Sequence, residues 1–212
     1  MKKVLITGAS SGLGLEVGKL LQQKNIEVIN LSRNKSPFEN ISLDLTKDES
    51  ITKSIEFIKK NHPSFDALIL NSGIMPLAKV GEMKFDIENM FKVNILGTIK
   101  LVNELLELIK KNKSDVVFVG STASLKGYGD HSAYCASKHA VEGFIKSLHV
   151  EMKNEPVRII GFHPGGFNSN LRGGIIKEEY MEPKDLATLM INILELPKTV
   201  EVSEIVINRK KA

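Results

Sequence analysis

Short apolar runs rich in β-branched residues alternate with longer amphipathic stretches along the whole chain. Val4-Leu5-Ile6 is an unbroken apolar triplet, as a strand buried on both faces requires. Residues 13–24 then repeat at helical spacing, with Leu13, Val17, Leu20 and Leu21 on one stripe. Residues 26–31 and 41–43 predict a second and a third strand. Residues 47–61 predict a helix that turns Ile51, Ile55 and Ile58 inward, and 65–70 a fourth strand. One long helix is expected over 85–112, carrying Met90, Val93, Ile95, Ile99, Val102, Leu105, Leu106 and Ile109. A strand at 116–119, a long helix at 132–154 and a strand at 157–162 follow. The last helix is predicted at 185–196, opened by Pro183 in a position that tolerates proline, and a seventh strand at 204–207 closes the series.

Such alternation predicts a seven-stranded parallel sheet with helices on both faces. Right-handed crossovers make it doubly wound. Ligands of such sheets bind beyond the carboxyl ends of the strands, where strand order reverses. No linker, repeat or low-complexity segment divides residues 1–212, so one α/β domain is expected.

The most informative turn joins the first strand to the first helix: Thr7-Gly8-Ala9-Ser10-Ser11-Gly12-Leu13-Gly14. Glycines there permit a tight turn and close backbone approach to a pyrophosphate. The helix N-terminus offers orphan N–H groups and a positive dipole end to an anion. Gly14 lets the helix pack close to the sheet. Glycine also ends strands for structural reasons, so its place after the first strand gives the turn its weight.

The Thr-Gly-x-x-x-Gly-x-Gly spacing resembles that of the short-chain dehydrogenase/reductase family, and the resemblance runs over about residues 3–208. It implies a Rossmann-type fold, a nicotinamide dinucleotide, and hydride transfer to or from a carbonyl or alcohol carbon of a small molecule. In NAD-binding relatives an acidic residue at the end of strand two takes the ribose hydroxyls. The matching position here is Ser32, followed by Arg33, whose guanidinium suits a 2′-phosphate. NADP(H) is therefore the expected cofactor, with NAD(H) as the second choice. Asp44-Leu45 resembles the family's Asp-hydrophobic pair at the adenine, and Asp44 also suits a turn cap. Asn71-Ser72-Gly73 resembles the family's Asn-Ala-Gly, with Asn71 bracing the central sheet. Pro164-Gly165-Gly166-Phe167-Asn168-Ser169 resembles the Pro-Gly segment that meets the nicotinamide amide, with Ser169 where the family often has Thr.

Tyr134 and Lys138 stand four residues apart on a predicted helix and so share one face. A free tyrosine titrates near ~10, and a neighbouring ammonium favours its phenolate. Ser121, 13 residues before Tyr134, matches the family's catalytic serine, and Asn94 its fourth member, which holds a water between the lysine and solvent. Each residue alone has a bland explanation: a solvated helix face, a strand-end cap, a helical Asn bonded to a neighbour. Together, in family order and spacing, they imply an enzyme.

Composition narrows the rest. The chain has 212 residues, a net charge of +4 and one cysteine, Cys135, which excludes an internal disulfide. No apolar run approaches the ~20 residues that span a bilayer. The apolar start is broken at Thr7-Gly8, too early for a signal peptide, so a cytoplasmic protein is expected. No basic run is interleaved with aromatics, so nucleic acid is not an expected partner. Ser121 with His163 lacks a Gly-x-Ser-x-Gly elbow and does not read as a hydrolase. Cys135 is expected to pack against the sheet. The five histidines show no metal-ligand spacing, and no metal is expected.

The segment 170–182 would cover substrate in this family and is short here, with Gly173-Gly174 as a hinge. Tyr128, Met75 and Leu125 are expected to add apolar surface. His131 fits either the pocket wall or a surface loop. A homodimer or homotetramer is expected by resemblance, through the long helices; Phe144, Leu148 and Met152 fit either that interface or the core. The main alternative is a non-catalytic dinucleotide-binding sensor or regulatory protein of the same fold, which has no need of the Ser121, Tyr134, Lys138 set. An epimerase or dehydratase would need a larger C-terminal region.

Overall fold

A computed structural model describes residues 1–172, 174 and 176–210. Its strands are β1 (Lys3–Thr7), β2 (Glu27–Leu31), β3 (Glu39–Ile41), β4 (Ala67–Leu70), β5 (Asp115–Val119), β6 (Ile159–Pro164) and β7 (Glu204–Ile207). They form one sheet in the order β3-β2-β1-β4-β5-β6-β7, with every neighbouring pair parallel. Strand order reverses between β1 and β4, which opens a crevice beyond their carboxyl ends. The helices are α1 (Gly12–Gln23), α2 (Asp48–Asn61), α3 (Ile87–Phe91), α4 (Gly97–Asn112), α5 (Ser132–Glu151) and α6 (Pro183–Leu194).

Side chains alternate across each strand, and the two faces feed two cores. Val4, Ile6, Val28, Ile69, Val117 and Ile160 pack against α1 and α6. Leu5, Ile29, Leu68, Val116 and Phe118 pack on the other side against α2, α4 and α5. A doubly wound parallel sheet is thus the observed fold. Among the described residues no helix is long and apolar enough to cross a membrane.

Two expectations shift, and one alternative narrows. The helix foreseen over 85–112 is interrupted by a π turn, Lys92–Leu96, between α3 and α4. Its hydrophobic pattern continues through the extra residue, so periodicity gave no sign of it. β3 lies earlier than 41–43, although the Leu43 N–H still donates to the Ser32 carbonyl at 3.3 Å. Of the residues that fitted either core or interface, Leu148 and Met152 are buried in the core, and Phe144 is partly buried and packs against it.

At the amino-terminal edge of the sheet, Arg158 and Asp115 form a buried pair. Arg158 Nε and Nη2 donate to the two Asp115 carboxylate oxygens at 2.9 and 2.7 Å. The guanidinium also donates to the carbonyls of Leu194, Leu196 and Val200. Lys198 Nζ reaches Asp115 Oδ1 at 2.5 Å. This cluster ties β5 and β6 to the segment that leads into β7.

Candidate active site

The glycine-rich turn is shaped by backbone demands. Gly8 and Gly12 adopt φ of +72° and +54°, a region costly for residues with a Cβ. A Cβ on Gly14 would stand 2.6 Å from both the Gly8 carbonyl and the Asn71 amide, so Gly14 sits beneath the turn and supports it. Asn71 Nδ2 donates to the carbonyls of Thr7 and Gly8 at 3.1 Å. Thr7 Oγ1 accepts from the backbone N–H of Asn71 and of Ser72. No side chain caps α1, which leaves its first N–H groups facing the crevice.

The crevice has two connected lobes. The first, about 240 Å³, is lined by Gly8, Ser10, Ser11, Gly12, Leu13, Ser32, Arg33, Asp44, Leu45, Asn71, Ser72 and Gly73. Arg33 is exposed, and among the described residues no carboxylate forms an ion pair with it. Asp44 accepts from the Thr46 hydroxyl at 2.7 Å and from the Thr46 N–H at 3.0 Å. The hydroxyl bond chiefly holds its carboxyl below the usual range. Asp44 therefore caps a turn and lines the lobe at once.

The second lobe, about 540 Å³, is lined by Ser121, Tyr134, Lys138, Pro164 and Gly165, among others. Asn71, Gly73, Phe167 and Ser169 border both lobes. Tyr134 and Lys138 project from α5 into this lobe, with Lys138 Nζ 6.0 Å from the Tyr134 ring centroid. Lys138 is buried and donates to the Val119 carbonyl at 2.9 Å. Burial lowers its pKa to about 8. Ser121 caps the short 3-10 turn Thr122–Ser124, its Oγ accepting from the Ala123 N–H at 3.1 Å. That bond occupies a lone pair and leaves the hydroxyl hydrogen available for donation.

Asn94 lies behind the lobe, in the π turn. Its Oδ1 accepts from the Ile74 N–H at 2.9 Å, and its Nδ2 donates to the Ile74 carbonyl and the Ser137 hydroxyl, each at 3.0 Å. Ser137 Oγ in turn donates to the Tyr134 carbonyl at 2.8 Å. The amide thus fixes the loop after β4 to the helix that carries Tyr134.

A family model described as short chain dehydrogenase matches residues 2–179. The chain belongs to that family. It is 28% identical to carbonyl reductase family member 4 of Danio rerio, with 91% of each chain covered. It is 26% identical to an uncharacterized oxidoreductase of Staphylococcus saprophyticus, over 97% of this chain and 96% of the other. An alcohol dehydrogenase from the archaeon Thermococcus sibiricus, solved with 5-hydroxy-NADP, superposes with a TM-score of 0.90 at 22% identity, over 98% of this chain and 96% of that one.

This short-chain dehydrogenase also holds features that its sequence did not disclose. Asn30, in the apolar run of β2, accepts from the Ala9 N–H at 2.8 Å and donates to Asn40 at 2.6 Å, anchoring the glycine-rich turn. One polar residue inside a buried strand was the available signal. Met75 and Tyr128 line the second lobe as expected, and His131, open between pocket wall and surface loop, lines it too; Leu125 is exposed and does not. Lys126, Tyr180 and Arg209 line it as well. Cys135 packs in a small cluster with Met90, Ala123 and Tyr134, away from the two main cores. Gly174 takes φ +76°, while Gly173, its partner in the expected hinge, lies outside the described residues. His163 is fully buried, with Nε2 3.1 Å from Glu142 and 3.9 Å from Glu204. Burial holds it below the usual imidazole range against the pull of both carboxylates. The ligand atoms of Glu142, His163 and Glu204 lie within 4.8 Å of one another, a grouping that sequence spacing had hidden.

Proposed function

We propose that this protein is an NADP(H)-dependent oxidoreductase that interconverts a carbonyl and an alcohol, with Tyr134 as the proton-transfer group. One observation carries the reading: Tyr134, Lys138 and Ser121 meet in a lobe continuous with the glycine-rich crevice. The residues present fit a dinucleotide. A Cβ on Gly8 would stand 2.9 Å from Ser72 Oγ, so the turn offers bare backbone where a pyrophosphate would lie. Ser10, Ser11, Gly12 and Leu13 would hold the phosphates, and Asp44 and Leu45 the adenine. Arg33 would pair with the 2′-phosphate, which favours NADP(H) over NAD(H). Pro164, Gly165, Phe167 and Ser169 would border the nicotinamide, which when bound supplies or accepts the hydride.

The chain's own groups manage the proton. In reduction, the Tyr134 hydroxyl gives its proton to the carbonyl oxygen, and the Ser121 hydroxyl hydrogen-bonds the same oxygen. The Lys138 ammonium stabilises the phenolate that remains. With a pKa of about 8 it is mostly charged at neutral pH, yet exchanges its proton more readily than a free lysine. Asn94 acts through Ile74 and Ser137 and is a positioning residue.

The test is Tyr134→Phe. Turnover of a carbonyl panel with NADPH should collapse while NADPH still binds. Substantial remaining turnover would overthrow the assignment.

A further inference from the structure

The second lobe has a charge pattern that proton transfer does not use. Lys126 and Arg209 both line it, and neither borders the first lobe. Among the described lining residues there is no aspartate or glutamate. Lys138 adds a third cation in the floor. Positive charge gathered in a cleft whose lining carries no acidic side chain raises the local concentration of anions.

The two outer cations are held in place by aromatic rings. Lys126 Nζ lies 5.4 Å from the Tyr128 ring centroid, and the Tyr128 hydroxyl is bonded to Thr122 Oγ1 at 2.8 Å. The Arg209 guanidinium lies 5.1 Å from the Tyr180 ring centroid. Lys126 has no carboxylate partner among the described residues; Arg209 has one contact, to Glu179 Oε1 at 3.4 Å. Stacking on a ring fixes a cation without neutralising it, and the single Arg209 contact, to Glu179, is solvent-exposed and outside the lining, so both stay able to pair with a ligand. The same lobe also presents the apolar side chains of Ile74, Met75 and Leu171.

From this arrangement we infer that the substrate is a carbonyl compound, or its alcohol, that carries an anionic group beyond an apolar body. The carbonyl meets Tyr134 and Ser121, the body lies on the apolar wall, and Lys126 and Arg209 pair with a carboxylate or phosphate. Neither cation borders the lobe assigned to the dinucleotide phosphates, so the anion they recognise belongs to the substrate. The inference rests on the oxidoreductase reading above and sharpens it.

The test compares 4-formylbenzoate and 4-formylphenyl phosphate with methyl 4-formylbenzoate, using NADPH. The better anion should exceed the ester in kcat/KM by about tenfold at low ionic strength. The carboxylate and phosphate arms show which anion is preferred. In the Lys126→Gln, Arg209→Gln double variant the ratio of anion to ester should fall towards one, and added salt should lower it in the native protein. An ester as good as both anions, or a ratio that survives in the double variant, overturns the inference and leaves the oxidoreductase reading standing. Calorimetric binding of 4-carbamoylbenzoate against terephthalamide reads the same preference without turnover. If no aldehyde is reduced, the reductase reading falls, while preferential binding of the anion supports the charge assignment and equal binding overturns it.

Discussion

The two edges of the sheet each bury a cation and surround it differently. At the amino-terminal edge Arg158 makes two bonds to Asp115 and several to backbone carbonyls. At the carboxyl edge Lys138 is equally buried, and its ammonium donates to the Val119 carbonyl. A buried charge is tolerable when paired and hydrogen-bonded, and costly otherwise. Arg158 therefore serves cohesion, since removing it would leave a buried carboxylate with Lys198 in place of its two-bond partner. Lys138 carries an uncompensated cost: a pKa drawn from 10.5 to about 8 corresponds to roughly 3 kcal/mol. The cost lies at the site proposed for proton transfer, and buried, perturbed groups gather at functional sites.

The largest effect should come from the carboxyl edge. Tyr134→Phe should cut kcat by about a thousandfold while the NADPH dissociation constant moves little. Single-turnover kinetics beside fluorescence titration would check both numbers, and a large loss of NADPH affinity would move Tyr134 from chemistry to binding.

The contrast itself is tested by replacing each cation with an apolar residue. Arg158→Met should lower the unfolding free energy by about 3–5 kcal/mol, because Asp115 is left buried without its main partner. Lys138→Met should abolish turnover yet leave the protein without cofactor no less stable at pH 7. Equal destabilisation of the two variants in urea titrations would erase the distinction.

pH sharpens the same point. The folded Lys138 titrates near 8 and the unfolded lysine near 10.5, so between these values the unfolded chain binds more protons. Stability contributed by this group therefore rises with pH across that window. Its burial cost is complete below pH 8 and gone above about 10.5. Native protein should gain on Lys138→Met by up to roughly 3 kcal/mol between pH 7.5 and 10.5, read as a difference in unfolding free energy. A constant difference across this range would mean that Lys138 is not desolvated as described.

The smallest effect belongs to the exposed cation of the first lobe. Arg33→Ala should shrink the preference for NADPH over NADH by about tenfold, measured as a ratio of dissociation constants. An unchanged ratio would place the 2′-phosphate elsewhere.

Much of the frame was readable from the chain because it obeys local rules. Val4-Leu5-Ile6 and Val116 to Val119 are apolar without alternation, which marks strands covered on both faces. Tyr134 and Lys138 declared themselves through helical spacing, and the glycine turn through its place after β1. The hidden parts depend on distance along the chain. Asp115 and Arg158 stand 43 residues apart, and each alone reads as a surface charge. Arg209 and Lys126 line one lobe because β5, β6 and β7 lie side by side. Leu148 and Met152 could not be divided between core and interface by pattern alone, since apolar residues ring much of α5.

Asn94 has a mechanical consequence. A single amide spans three stretches of backbone that meet nowhere else in sequence, reaching across 20 residues to Ile74 and 43 to Ser137. The loop after β4 and the helix bearing Tyr134 are thereby cross-tied, a link that restrains their relative displacement. Severing that tie would let the two drift independently, blurring the alignment even with every reacting group still present.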